Sequence, residues 1–191
     1  MRRIAAVYSV IALYIASERF LRQGAAATSL EGAESDRGST RAIGTALSVS
    51  SICLLVAPVL SSRKIAVLPR RELLFWVGLS AMISGLVVRS WANRVLGASY
   101  TRTLRIVQEQ RVIQEGPYHL VRHPGYLGTL LVWLGGAVAL GNWVIMTAAS
   151  ILMLRAYRRR IEAEERMLLD NFGDEYRRYM RRTRMLVPFL C

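Results

Sequence analysis

The sequence predicts an all-α, polytopic membrane protein with about five transmembrane helices, a C-terminal helical hairpin and a cytoplasmic helical tail. Three observations predict it. Apolar residues make up 53% of the 191-residue chain, and the mean hydropathy is +0.28. Long runs without Asp, Glu, Lys or Arg recur along the chain. The formal net charge of +13 lies mostly between and beyond those runs, where it can grip anionic headgroups. A nucleic-acid-binding domain would gather such charge on one face, so membrane lipids are the expected partner and nucleic acid is not. The chain reads as one domain over 1–191, with three N-terminal transmembrane helices in 1–95 and the rest in 96–191.

The first apolar run, Ile4 to Ser17, is short. A signal peptide would account for its basic start and for the small residues Gly24 to Ala27. It would also leave Glu18, Arg19 and Arg22 between the apolar run and the cleavage site, against the usual pattern. A retained first helix with Glu18 and Arg19 in the headgroup zone is the expectation. Ala42 to Ser62 has the roughly 20 residues that cross the hydrocarbon, with Pro58 near its exit. Leu73 to Val88 is the third run, with Arg89 expected to snorkel to the interface and Trp76 and Trp91 to anchor its ends. Glu31 to Thr40 reads as a polar loop.

His123 to Leu154 holds 32 residues free of Asp, Glu, Lys and Arg. One straight helix of that length would span about 48 Å, well beyond a hydrocarbon core of about 30 Å. A tight hairpin is therefore expected, turning at Gly141-Asn142 with Trp143 at the interface. Beyond it, Ala156 to Leu169 is rich in helix formers. Gly173 should end that helix, and Asp174 to Arg182 should form another. Twenty of the 26 Lys and Arg residues fall on the side of the third connector and the tail. That asymmetry puts both in the cytoplasm and the N-terminus outside. Cys53 and Cys191 imply neither a disulfide framework nor a metal site.

Two segments on the cytoplasmic side could carry chemistry. Gly116-Pro117-Tyr118 and Arg122-His123-Pro124-Gly125-Tyr126 crowd the mouth of the hairpin. Pro124 suits a first helical turn, which would put His123 at a helix N-terminus suited to an anionic group. An interfacial aromatic belt explains the same residues. Arg160 and Glu164 are four apart and share a helix face. A surface ion pair worth tenths of a kcal/mol explains that spacing equally well.

Together these segments resemble the isoprenylcysteine carboxyl methyltransferase family, and more loosely the phospholipid methyltransferases. The likeness runs from about Leu96 to Phe189. It rests on Gly116-Pro117-Tyr118, Arg122-His123-Pro124 with Tyr126 and Gly128, Gly141-Asn142, Arg160 with Glu164-Glu165, Phe172-Gly173-Asp174-Glu175-Tyr176, and Pro188-Phe189. Asp36-Arg37-Gly38-Ser39 also looks like prokaryotic members. The resemblance implies an integral membrane enzyme with its active site on the cytoplasmic side, S-adenosylmethionine as cofactor, and an isoprenoid-like substrate entering from the bilayer. It implies that 96–191 holds the cofactor-binding connector. Gln108, Gln110, Arg111, Val112, Ile113, Tyr118, His123, Pro124, Gly125, Tyr126 and Glu164 would surround the cofactor, and Arg160 would hold the substrate carboxylate. Gly125 stands where members often carry Ser, and the connector near Gln108 is shorter than in eukaryotic members.

An ionised carboxylate is already a nucleophile, so such a transfer needs placement rather than a general base. No alternation of strands and helices with a Gly-rich turn is present, so a doubly wound cofactor domain is not expected. Two other functions fit parts of the chain: methylation of a phosphatidylethanolamine-type amine, and a non-catalytic membrane scaffold. Arg160 separates the first, because a guanidinium aids a carboxylate and not an amine. Cofactor binding separates the second.

Overall fold

The computed structural model describes residues 1–21, 38–97 and 112–186; of these 84% are helical and none forms a strand. Among the described residues five α-helices follow in order: α1 (Arg2–Leu21), α2 (Ser39–Ser62), α3 (Arg71–Leu96), α4 (Pro124–Leu140) and α5 (Trp143–Arg182). A short 3-10 helix, Gly116–His119, precedes α4. Helix α2 begins at Ser39, inside the stretch expected to be loop, and runs through Pro58. Gln108, Gln110, Arg111, Asp36-Arg37 and Pro188-Phe189 lie outside the described residues.

The hairpin is present where the Gly and Asn residues predict it. Gly141 takes a left-handed conformation (φ 63°), which glycine adopts without a Cβ penalty. Asn142 then caps α5: its side-chain oxygen accepts from the Ile145 amide at 3.2 Å. Its amide donates to the Ile65 carbonyl at 2.9 Å. Two backbone bonds, Leu68 N to Gly141 O and Trp143 N to Ala66 O, fasten the α2–α3 loop to the same turn. That pins one end of the bundle. The opposite end gathers the last turns of α1 and α3, the first turns of α2 and α4, and the middle of α5.

Helices α3 and α4 pack through glycines seven residues apart on each, Gly78 and Gly85 against Gly128 and Gly135. A Cβ on Gly128 would stand 2.7 Å from both the Arg89 amide nitrogen and the Gly85 carbonyl oxygen. Small residues let backbones approach this closely, and lipid-embedded helices depend on such contact. Gly128→Val should therefore cost about 2 kcal/mol or more, read as a lowered thermal midpoint in detergent; an unchanged midpoint would show that the helices can part freely. The outer faces of α2 and α3 stay apolar, with Leu55, Trp76 and Val87 each more than half exposed. Among the described residues these two helices are long and apolar enough to cross a membrane, while α4 is apolar but 17 residues long.

Helix α5 has 40 residues and contains Gly173 at φ 49°, ψ −119°. The expected stop is thus a break, after which the helix resumes at once. Two charged residues depart from expectation. The sequence puts Glu18 among headgroups and Arg89 at the interface, yet they are only 7% and 8% exposed. They pair with each other, because α1 and α3 bring their charged turns to the same end of the bundle. A charge with a partner inside need not reach for water. Arg19 is exposed as expected.

Candidate active site

A cavity of about 430 Å³ opens at that end, bordered by all five α-helices and the 3-10 turn. Its size falls within the usual range for small-molecule sites. Arg160 reaches it from α5 and is 4% exposed. The Arg160 Nε donates to the Tyr126 hydroxyl at 3.1 Å. Its Nη1 donates to Ser39 Oγ at 3.1 Å and Thr40 Oγ1 at 2.9 Å. Three hydroxyl oxygens from α2 and α4 therefore help to orient the guanidinium plane. The Tyr126 hydroxyl in turn donates to Glu164 Oε2 at 2.6 Å. Arg160 and Glu164 are thus joined through Tyr126 in one part-buried network, which excludes an ordinary surface pair for them.

His123 stands between two carboxylates. Its Nε2 lies 3.2 Å from Glu165 Oε1, and its Nδ1 lies 3.7 Å from Glu164 Oε2. Its ring stacks on Tyr126, with planes 7° apart and centroids 5.5 Å apart. As expected, Pro124 occupies the first turn of α4. The His123 amide, however, donates to the Met185 carbonyl at 3.1 Å. The carboxylates here meet the imidazole ring, and that amide serves the C-terminal strap.

Arg122 builds the strap. Its Nε donates to Glu165 Oε1 at 2.7 Å, and its Nη1 to the carbonyls of Thr183 (2.6 Å) and Met180 (3.2 Å). The Tyr179 hydroxyl donates to the Tyr118 carbonyl at 2.8 Å. Burial alone would raise the Glu165 pKa, but the hydrogen bonds from His123 and Arg122 outweigh it and hold the carboxyl below its ordinary value. A depressed carboxylate stabilises the fold above its unfolded pKa and loses that effect as pH falls through the folded one. Hydrogen-exchange protection around Tyr179–Arg184 should thus persist at neutral pH and fade only below the ordinary value of 4.5. Fading near neutrality would remove Glu165 as the anchor.

Of the residues singled out from sequence, Tyr118, His123, Gly125, Tyr126, Arg160 and Glu164 border one cavity. Val112 and Ile113 are half-buried upstream of the 3-10 turn and do not border it. Sequence reasoning missed Ser39 and Thr40, whose hydroxyls orient Arg160, and the anchoring pair Arg122 and Glu165. It also missed Glu18, Arg89 and Asn93. The signal for the last group was present, since charges beside apolar runs at one end of a bundle must find partners.

Comparison with known proteins adds the family. Its model, described as isoprenylcysteine carboxyl methyltransferase (ICMT) family, matches residues 76–170. A protein of Oryza sativa subsp. indica named probable protein-S-isoprenylcysteine O-methyltransferase is 37% identical over 117 residues, 60% of this chain and 61% of that one. The chain thus spans less than two thirds of that relative's length. Protein-S-isoprenylcysteine O-methyltransferase B of Arabidopsis thaliana is 30% identical over 145 residues, 73% of this chain and 74% of that one. The fold is similar to the solved structure of the eukaryotic intramembrane Ras methyltransferase ICMT, with a TM-score of 0.66 at 24% identity, covering 75% of this chain and 52% of that one. The matched region runs from α3 through the Arg160–Glu164 turn of α5, where the cavity's polar wall is built, and the chain belongs to the isoprenylcysteine carboxyl methyltransferase (ICMT) family.

Proposed function

We propose that the chain is an integral membrane enzyme that methylates the carboxylate of an isoprenylcysteine-like, lipophilic acceptor with S-adenosylmethionine. The observation that carries this reading is the buried Arg160, held in plane by three hydroxyl oxygens at the wall of a cavity. A guanidinium so oriented suits charge-assisted hydrogen bonding to a carboxylate. An amine acceptor would gain nothing from it, so methylation of a phosphatidylethanolamine-type lipid is disfavoured.

The other wall fits the cofactor. Glu164 offers a carboxylate to hydroxyl or amino donors, the stacked His123 and Tyr126 rings stand beside it, and Gly125 borders the same cavity. Tyr118 borders the same space, and Val112 and Ile113 join the cofactor set on family resemblance. The connector residues Gln108, Gln110 and Arg111 complete the cofactor set on family resemblance. When bound, the cofactor would supply an electrophilic sulfonium methyl group for the carboxylate oxygen, with the thioether as leaving group. The chain's own work is placement and exclusion of water. Arg160 aligns the acceptor, Tyr126 couples Arg160 to Glu164, and the strap of Arg122 and Glu165 closes the cavity on the side of the tail. No side chain need remove a proton, because the acceptor is already ionised at neutral pH.

The five helices are read as five spans, with α5 continuing into the cytoplasm and the excess of arginine facing that side. The cavity follows α4 inward from His123 to Trp133, about 15 Å at roughly 1.5 Å per residue, which gives an isoprenoid chain a path from the bilayer. The test is transfer of labelled methyl to N-acetyl-S-farnesylcysteine by the purified chain in lipid vesicles. Labelled methyl ester in the organic phase supports the reading; cofactor binding without ester formation on any prenylated carboxylate overturns it.

A further inference from the structure

Glu18 and Arg89 form a second polar wall of the same cavity that the proposed chemistry leaves unused. Arg89 donates through Nε and Nη2 to the two oxygens of Glu18, at 2.8 and 3.2 Å. The Asn93 amide adds a bond of 3.3 Å to Glu18 Oε1. Such fork-on-fork pairing fixes the plane of a guanidinium. Arg89 Nη1 lies against α4, where a Cβ on Gly125 would stand only 2.8 Å from it. Gly125 sits between His123 and Tyr126, so this edge of Arg89 borders the space that Arg160 reaches from the other side. A pair of apolar residues would often stabilise such a buried place as well as an ion pair does. Ionisable groups inside an apolar bundle point to function. Glu18 lies ahead of the region that the family model matches.

We propose that Glu18 is a positioning residue for the acceptor carboxylate, acting through Arg89. This inference rests on the carboxylate reading above. Glu18 fixes the orientation of Arg89 beside Gly125 and cancels most of its charge. The cancellation matters because the acceptor loses its own charge as the methyl group arrives. A fully charged second guanidinium would bind the carboxylate tightly before reaction and forfeit that interaction in the transition state, lowering KM and kcat together. The paired guanidinium orients the acceptor without deepening its ground state. The N-terminal helix thereby becomes part of the active site.

The test uses the full chain purified in detergent, N-acetyl-S-farnesylcysteine as acceptor, and calorimetry for the cofactor. In Glu18→Gln, acceptor KM should fall about threefold and kcat about tenfold, with cofactor Kd within about twofold of wild type. Unchanged kcat and KM would overturn the proposal, as would a rise in KM matched by weaker cofactor binding, which signals general loosening. The paired variant E18L/R89M removes both charges and keeps the proposal open to test if Glu18→Gln does not fold. It should fold, bind cofactor, and lose about tenfold or more in kcat/KM; full activity would make the pair structural only. A wild type that binds cofactor but methylates no prenylated carboxylate sinks the parent reading and this one with it. An active wild type matched by both variants sinks this one alone.

Discussion

Replacing Arg160 by lysine should cut methyl transfer to a prenylated carboxylate by about 100-fold or more, equivalent to about 2.7 kcal/mol of transition-state stabilisation, while cofactor affinity stays nearly intact. Lysine keeps the positive charge, so a role as a mere counter-ion would survive the change. What lysine lacks is the planar fork. Arg160 uses one edge on the Tyr126 hydroxyl and another nitrogen on Ser39 and Thr40, so its plane is set by α2 and α4 together. A rotatable ammonium could follow those oxygens or the acceptor, and would fix neither. Misplacement of about 1 Å at a reacting group is worth a loss of this size. Arg160→Ala should abolish turnover outright. Single-turnover methyl transfer, with calorimetry of the cofactor beside it, makes the measurement. Equal loss of cofactor binding and turnover in either variant would refute a role on the acceptor side.

The helices and the hairpin were legible because their signals are local. Charge-free length marks a span, and Gly141-Asn142 marks a turn wherever it occurs in the fold. Arg160 and Glu164 were legible as neighbours on one helix face, although their spacing alone fitted a surface ion pair equally well. The structure decides that question, since Tyr126 from α4 bridges them and Arg160 is buried. Contacts between distant helices were not legible. Nothing in the order of residues says that Ser39 and Thr40, opening α2, will meet a guanidinium some 120 positions later. From sequence alone Arg89 reads as a residue reaching for the interface, because a lone charge at the end of an apolar run usually does so. Its partner Glu18 stands 71 positions away, and only the packing of α1 against α3 brings the two together. Glu165 was hidden by its neighbour: Glu164 met the motif's expectation, and the second carboxylate turned out to hold His123 and Arg122.

Glu164→Ala should weaken S-adenosylmethionine binding by about 10- to 100-fold, the range of one to two charge-assisted hydrogen bonds at roughly 1.5–3 kcal/mol in all. The argument is geometric. Glu164 accepts from the Tyr126 hydroxyl at 2.6 Å and lies 3.7 Å from His123 Nδ1, so its carboxylate is held against the stacked rings at the cavity wall. A carboxylate has about four acceptor sites, more than Tyr126 and His123 require, and hydroxyl or amino donors of the cofactor can use the others. Alanine also leaves the Tyr126 hydroxyl without that acceptor, and Tyr126 is the link to Arg160, so kcat should fall as well. Glu164→Gln separates the two effects. The amide oxygen can still accept from Tyr126, which should preserve the alignment of Arg160, while the loss of charge weakens the bonds to the cofactor. Calorimetry should therefore show weaker binding in both variants, and turnover at saturating cofactor should fall much further for alanine than for glutamine. Unchanged cofactor affinity in Glu164→Ala would remove Glu164 from the cofactor site and leave it as a support for Tyr126 alone.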